Sequence, residues 1–444
     1  MRRPLTRGLL GLVALCFPLC SAAQSTFATA FGVVTDEQRA ILSGVAITLE
    51  NLDNGDTRGG TSDARGAFRI IGLVPGRYEV RAVLSPFIEY RQSEVVLGLG
   101  EEASFTLTLR LAALREQVTV RADTPIGGLP VTTLGRGFTT AEIEGLPVAA
   151  ADFASLATLS PGIGSMAESV RTTATGLTSA GQTGRNNTVL IDGLTIDDRR
   201  QSNVRGSLSL DAIKEFMVLS NSYNAEYGQA SGAIVSVLTR SGTNQHAGRA
   251  FYYHRDDAWD ATSGAASLVS PRETKSSLQQ QILGGVIGGP LARDHAFFFG
   301  STEQTNRDTE QFVTSAVLQA FRPGADGRLH VVSPSTLAFV RGDVNLAGAS
   351  LLTVRYRLDR NRATNQTADS QPAGLISPER HADITRVNQD AAVLHNHVFG
   401  ARGLNELKFQ GGRRANESDV TDYCLGCVAE NRPGILLGKS PTSP

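Results

Sequence analysis

Several residue sets have types and spacings that chemistry uses. Cys424-Leu-Gly-Cys427 is a C-x-x-C pair. In a reducing compartment that spacing suggests redox or metal chemistry, and outside one it suggests a local disulfide clipping a loop. A zinc site needs two further ligands close by, and the neighbouring sequence offers none. Asp192 and Asp197-Asp198 are not paired for acid–base work, and Asp192 suits a turn before Gly193. Gly98-Leu-Gly-Glu-Glu-Ala103 and Gly162-Ile-Gly-Ser-Met-Ala167 satisfy G-x-G-x-x-A. The first precedes a strand pattern and the second follows a helical one, so neither has a nucleotide-binding context. There is no P-loop, no H-E-x-x-H and no G-x-S-x-G. The sequence therefore predicts no enzyme and no cofactor.

One more stretch has binding character. Glu116-Gln-Val-Thr-Val-Arg-Ala122 alternates Val118 and Val120 with Gln117, Thr119 and Arg121, and Pro125 ends the pattern. By pattern alone it reads as the last strand of a preceding sandwich followed by a linker. The other reading is an exposed extended segment that adds as a strand to a partner's sheet.

These residues need elements to hold them, and the chain start sets the compartment. Arg2, Arg3 and Arg7 precede an apolar run from Gly8 to Cys20, and Ser21-Ala22-Ala23 are small. That is the layout of a cleaved signal peptide over 1–23. Two of the four cysteines, Cys16 and Cys20, leave with it. The formal charge is −1 and becomes more negative by three arginines, so nucleic acid is not an expected partner. No later segment reaches the ~18 consecutive apolar residues of a membrane helix, so membrane residence would require a barrel. The 444 residues, 41% hydrophobic and 19% charged, suffice for two or three packed domains, and the 46 glycines favour strands and turns.

From Phe31 to Leu111 short strand patterns alternate with turn signals such as Asp63-Ala-Arg-Gly66 and Pro75-Gly76. That spacing predicts a small β-sandwich. The segment "GVVTDEQRAILSGVAITLENLDNGDTRGGTSDARGAFRIIGLVPGRYEVRA" resembles the carboxypeptidase regulatory-like domain, through residues including Gly32, Asp63, Gly66, Phe68, Pro75, Gly76 and Tyr78. The resemblance implies a transthyretin-type, carbohydrate-binding-like accessory fold and no peptidase activity.

From Phe138 to Thr239 the pattern is mixed α/β. Thr140 is the expected helix cap, Phe153, Leu156 and Leu159 fall at near-helical spacing, and Ile213, Phe216 and Met217 share a face. "LPVAAADFASLATLSPGIG", "GRNNTVLIDG", "IKEFMV" and "YNAEYGQASGAIVSVLTRSGTN" resemble the plug of TonB-dependent outer-membrane receptors, nearest to the Oar-like type. The resemblance singles out Gly184, Arg185, Asn187, Asp192 and Gly193 as plug-motif residues. It also favours reading Glu116, Gln117, Val118, Thr119, Val120, Arg121 and Ala122 as a TonB box.

The remainder should alternate lipid-facing and lumen-facing residues in strands of ~9–11 residues. "SLLTVRYRLDRN" sets Leu352, Val354, Tyr356 and Leu358 against Thr353, Arg355, Arg357 and Asp359, the latter suited to a wet lumen. Phe297-Phe-Phe299 is expected at the membrane interface. His395 and His397 share a strand face, as a metal pair or as lumen-facing polar residues. Ala258–Ser276 and Asn361–Arg380 are expected to be extracellular loops.

The chain is thus expected to be mainly β. Its predicted parts are a signal peptide (1–23), a β-sandwich (28–113), a linker with the TonB-box-like segment (114–130), an α/β plug (131–244) and the first strands of an outer-membrane antiparallel β-barrel (245–444). About seven candidate strands fall short of the ~22 such a barrel uses, so the chain reads as the amino-terminal fragment of a longer protein. The resemblance implies location in the outer membrane of a Gram-negative-type bacterium and energised uptake of an unidentified extracellular substrate. Implied partners are TonB, outer-membrane lipid and the barrel assembly machinery. The alternative is a secreted or periplasmic module that binds carbohydrate or protein without transport.

Overall fold

The structure is a computed structural model. It describes residues 26–111, 119–121, 134–145, 153–165, 177–179, 181–182, 186–198, 203–204, 206–221, 223, 227–228, 230–260, 277–313, 327–346, 349–367, 381–401 and 403–420. The signal segment, Glu116 to Val118, Ala122, Gly184, Arg185, Cys424 and Cys427 lie outside the described residues.

The first seven strands form the sandwich: β1 (Ala28–Asp36), β2 (Ala46–Asn51), β3 (Thr57–Thr61), β4 (Ala67–Leu73), β5 (Gly76–Val83), β6 (Tyr90–Leu97) and β7 (Glu102–Leu109). One sheet has the order β4-β1-β7, with β1 and β7 parallel. Strict alternation in β7 points Ala103, Phe105, Leu107 and Leu109 inward against Ile47, Leu49, Tyr78 and Val80. Gly32 is required where the two strands meet: a Cβ there would lie 2.0 Å from the Phe105 carbonyl oxygen. The Asp63–Gly66 turn closes on the Asp63 carboxylate, which accepts the amides of Arg65 and Ala67 at 2.8 and 2.9 Å. The second sheet runs β3-β2-β5-β6-β8, where β8 is Thr119–Arg121. This strand lies parallel to β6, with Arg91, Gln92 and Ser93 opposite Thr119, Val120 and Arg121. In these three residues the segment is an edge strand of the sandwich.

The middle third is built on a five-stranded sheet. Its elements are β9 (Leu134–Phe138), the helices Thr140–Gly145 and Phe153–Ala157, β10 (Ile163–Ser165), β11 (Leu177–Ser179), β12 (Thr188–Ile191), β13 (Leu194–Thr195), β14 (Asp197–Asp198), β15 (Asn203–Val204), β16 (Ile213–Asn221) and β17 (Ile234–Thr239). The sheet order is β13-β12-β17-β16-β9, with β12 and β17 parallel. Three sequence expectations are corrected. The first helix is capped by Thr139, not Thr140. The Thr139 amide donates to Glu142 at 3.0 Å and the Glu142 amide donates back to the Thr139 hydroxyl at 3.4 Å, a capping box. Leu159 lies beyond the second helix and is exposed. Ile213 to Asn221 is a strand, although Ile213, Phe216 and Met217 suit a helix face. The strand is central and buried on both sides, Phe216 and Val218 in one apolar cluster and Met217 and Leu219 in another. A strand covered on both faces loses the alternation that would identify it.

The last third is one antiparallel seven-stranded sheet in chain order: β18 (Ala247–Asp256), β19 (Leu278–Ala292), β20 (Ala296–Val313), β21 (Gly327–Leu346), β22 (Ser350–Thr367), β23 (His381–Phe399) and β24 (Gly403–Val420). Connections at residues 293–295, 347–349 and 400–402 are short and alternate with long ones at 257–277, 314–326 and 368–380. Most strands exceed the expected 9–11 residues, and Asn361 to Thr367 continues β22 rather than opening a loop. One face is apolar and open: Val354 is 49%, Val393 41% and Phe409 62% exposed, in one cross-strand row. The other face carries Thr353, Arg355, Arg357 and Asp359, all buried against the middle third. An outer apolar belt with inner charge is the inverse of a soluble sheet and suits a membrane wall. Phe299 points inward into the core shared with the plug, and Phe297, on the same face, is buried as well, so two of the three phenylalanines face inward rather than the membrane interface. His395 and His397 have the outward parity of Val393, which corrects their expected lumen-facing position.

Candidate functional site: the seam between plug and wall

Asp192 sits where the middle third meets the seven-stranded wall. Asp192 and Gly193 link β12 to β13 with φ of +50° and +75°, the two-residue hairpin turn that Asp-Gly favours. The turn leaves the carboxylate buried at the end of β17. It accepts the Thr239 amide at 3.0 Å and the Thr239 hydroxyl at 3.0 Å. Asn187 performs a similar tie at the other end of β12. Its amide nitrogen donates to the Leu177 carbonyl at 2.5 Å, and its side-chain oxygen accepts the Ala233 amide at 2.8 Å.

The wall answers Asp192 with two arginines. Arg341 of β21 lies 3.5 Å away and Arg355 of β22 lies 3.4 Å away. Arg355 is 1% exposed and donates to the Ile191 carbonyl at 3.1 Å. Arg341 grips Asp343 with two bonds of 2.8 and 2.9 Å and donates to the Thr239 hydroxyl at 2.8 Å. Asp343 accepts Ser241 and Thr353, each at 2.6 Å. One strand further, Asp390 pairs with Arg357 at 2.5 Å and lies 3.8 Å from Arg355. Arg357 also donates to the Ser207 carbonyl at 3.3 Å. Asp359 accepts the Ser207 amide at 2.8 Å, and Glu303 accepts the Ser209 hydroxyl at 2.6 Å.

Three arginines and two aspartates of the wall thus cluster with Asp192 in a buried seam; the Ile191 and Ser207 carbonyls accept from Arg355 and Arg357, while Arg355 Nε and Nη1 find no hydrogen-bond partner. Coulomb attraction between buried charges is largely offset by their desolvation, so such a seam fixes position more than it adds net stability. Breaking any one member is costly. The arrangement suits a plug held in one register against a wall. No cluster able to hold a metal occurs among the described residues.

Of the sequence-predicted site residues, Asp192 and Gly193 stand at one end of β12 and Asn187 at the other, and Thr119 to Arg121 lie apart on the sandwich edge. The residues that complete the seam, Arg341, Asp343 and Asp390, were not among the predicted ones. Arg355 and Arg357 were predicted on the lumen face, yet the plug buries them rather than water bathing them. The available signal was charge alternating with apolar residues within a strand.

Residues 29–110 match the carboxypeptidase regulatory-like domain and residues 238–338 match the outer membrane beta barrel domain. The TonB-dependent transporter Oar of Myxococcus xanthus is 26% identical over 293 residues, covering 63% of this chain and 27% of that protein. The chain thus spans about a quarter of this relative's length. Among solved structures, the outer membrane transporter YddB of Escherichia coli aligns with a TM-score of 0.50 at 10% identity, over 65% of this chain and 40% of that one. The siderophore receptor PirA of Acinetobacter baumannii aligns at 0.45 and 18% identity, over 64% and 40%. The chain is thus a homologue by similarity of the TonB-dependent transporter Oar, and it carries a carboxypeptidase regulatory-like domain ahead of an outer membrane beta barrel domain.

Proposed function

We propose that this chain is the amino-terminal part of a TonB-dependent outer-membrane transporter. In this reading residues 28–113 form an accessory sandwich, 131–244 a plug and 245–444 the start of a barrel that lipid surrounds and the barrel assembly machinery inserts. The observation that carries the reading is the buried seam, in which Asp192 meets Arg341 and Arg355 on a sheet whose other face is apolar and open. A wall of that kind has no use in a secreted binding module, so the outward belt of Val354, Val393 and Phe409 counts against the alternative. An extracellular substrate binds on the outer side of the plug. TonB engages Glu116 to Ala122 by strand addition and draws on the plug, with no cofactor in this chain.

The experiment is deletion of Glu116 to Ala122 from the full-length gene product. The deleted protein should still reach the outer membrane but lose capture by the purified periplasmic domain of the host's TonB. Undiminished capture would remove the TonB-box assignment.

A further inference from the structure

The sandwich does not hang free of the plug. Leu99, in the turn between β6 and β7, is absent from the sandwich core and sits instead in an apolar cluster with Leu190, Met217, Leu219, Ile234 and Leu238 of the plug sheet. Polar bonds surround it. The Leu99 amide donates to Glu215 at 3.1 Å, Lys214 donates to the Pro75 carbonyl at 2.7 Å, and the Asn244 amide donates to the Asp53 carbonyl at 2.9 Å. The sandwich also rests on the side of the wall with the short connections, which in such barrels is the periplasmic side. Gly72 of β4 is so close to β23 that a Cβ built on it would lie 3.8 Å from the Val398 Cβ. A cleft lined by Asp53, Lys214, Ser241 and Arg341 remains between sandwich, plug and wall, so part of the contact is polar and open to water.

The edge strand β8 adds direction. It pairs with Arg91 to Ser93 of β6, the strand that leads into the turn bearing Leu99. Tension on Thr119 to Arg121 is therefore applied to the sandwich as well as to the plug beyond. We propose that the amino-terminal sandwich is a periplasmic lock on the plug, with Leu99 as its key, and that it must leave the plug before the plug can move. This rests on the transporter reading for the source of the pull, while the seating of the sandwich stands on the contacts alone.

The test uses the full-length gene product in the outer membrane, with Cys424 and Cys427 changed to serine. A first arm needs no energy source. The Gly72→Cys/Val398→Cys pair has a Cβ separation typical of disulfides and should cross-link in the oxidising compartment; Gly72 lies at φ +72°, so Gly72→Ala, which adds the same backbone strain without a thiol, is the control that the protein still folds. Separately, with Met217→Cys as reporter, Leu99→Asp should raise maleimide labelling at least about tenfold, with Leu99→Ala giving a smaller rise. Because Leu99 lies outside the sandwich core, neither change should unfold that domain. Absence of both the cross-link and the labelling change would overturn the seating, whatever the protein transports.

A second arm compares cells with and without TonB. Labelling of Met217→Cys should rise with TonB, fall to the TonB-free level when the Gly72–Val398 cross-link is closed, and recover with reductant. Labelling that rises equally with the cross-link closed would overturn the lock and leave the transporter reading intact. Labelling indifferent to TonB in the uncross-linked protein would overturn the transporter reading, and the lock's role with it.

Discussion

Asp192 of the plug lies 3.4 Å from Arg355 of the wall, and both side chains are buried. The pair joins segments more than 160 residues apart in sequence. Neither residue has water to fall back on, so each depends on the other and on Arg341 and Asp390 beside them. Asp192→Asn keeps the size and the Thr239 acceptor but removes the charge. Losing one partner of a buried pair costs about 3–5 kcal/mol. We expect a loss of that order in chemical unfolding of the full-length protein. Asp192→Asn/Arg355→Met should cost less than the sum of the single changes. Additive costs would show that the two residues are not coupled.

Leu99→Ala should weaken the hold of the sandwich on the plug without unfolding either. Truncating a buried leucine typically costs about 2–5 kcal/mol, and Leu99 is 8% exposed. Urea titration followed by protease should show the sandwich released at lower urea than in the parent. An unchanged release midpoint would mean that the cluster does not hold the two bodies together.

The same contact should respond to acid. Burial raises the pKa of Glu215 against the pull of Lys214, and burial together with the Glu215 charge raises that of Glu101. Docked values above the free ones mean that docking favours the protonated forms. The carboxylate contribution is complete below the free value, about 4.3, and is lost as pH rises through the docked values. Lys214 leans the other way, because burial lowers its pKa and docking favours its neutral form. Glu101→Gln separates the two. Between about pH 4.5 and 7 the release midpoint should fall less steeply in this variant than in the parent. Equal slopes would show that Glu101 does not titrate with docking.

Gly32→Ala should unfold the sandwich selectively, because the new Cβ would meet the Phe105 carbonyl oxygen at 2.0 Å. The cost should be about 3 kcal/mol or more, at the upper end for overpacking. Gly137→Ala is the control, since a Cβ there meets nothing within 4 Å. Proteolysis that treats the two variants alike would contradict the close approach of β1 and β7.

The sequence was informative wherever one face of a strand is buried. β7 and β22 announce themselves by alternation, and the Asp-Gly turn at Asp192 announces its own geometry. β16 was misread because both its faces are covered, which leaves a run of apolar residues that fits a helix equally well. The seam was half legible. Alternation marks Arg355 and Arg357 as inward-facing, but only the fold brings Asp192, Asp343 and Asp390 to them. The docking of Leu99 had no local signal, because a leucine in a turn is ordinary until the surface it meets is known.

In the proposed transporter the apolar outer face of the wall is solvated by lipid while its charged inner face grips a plug. The most direct measurement is carbonate extraction of membranes from cells expressing the full-length gene product, followed by separation of inner and outer membranes. The protein should stay in the outer-membrane pellet after the wash. Release into the soluble fraction would contradict it.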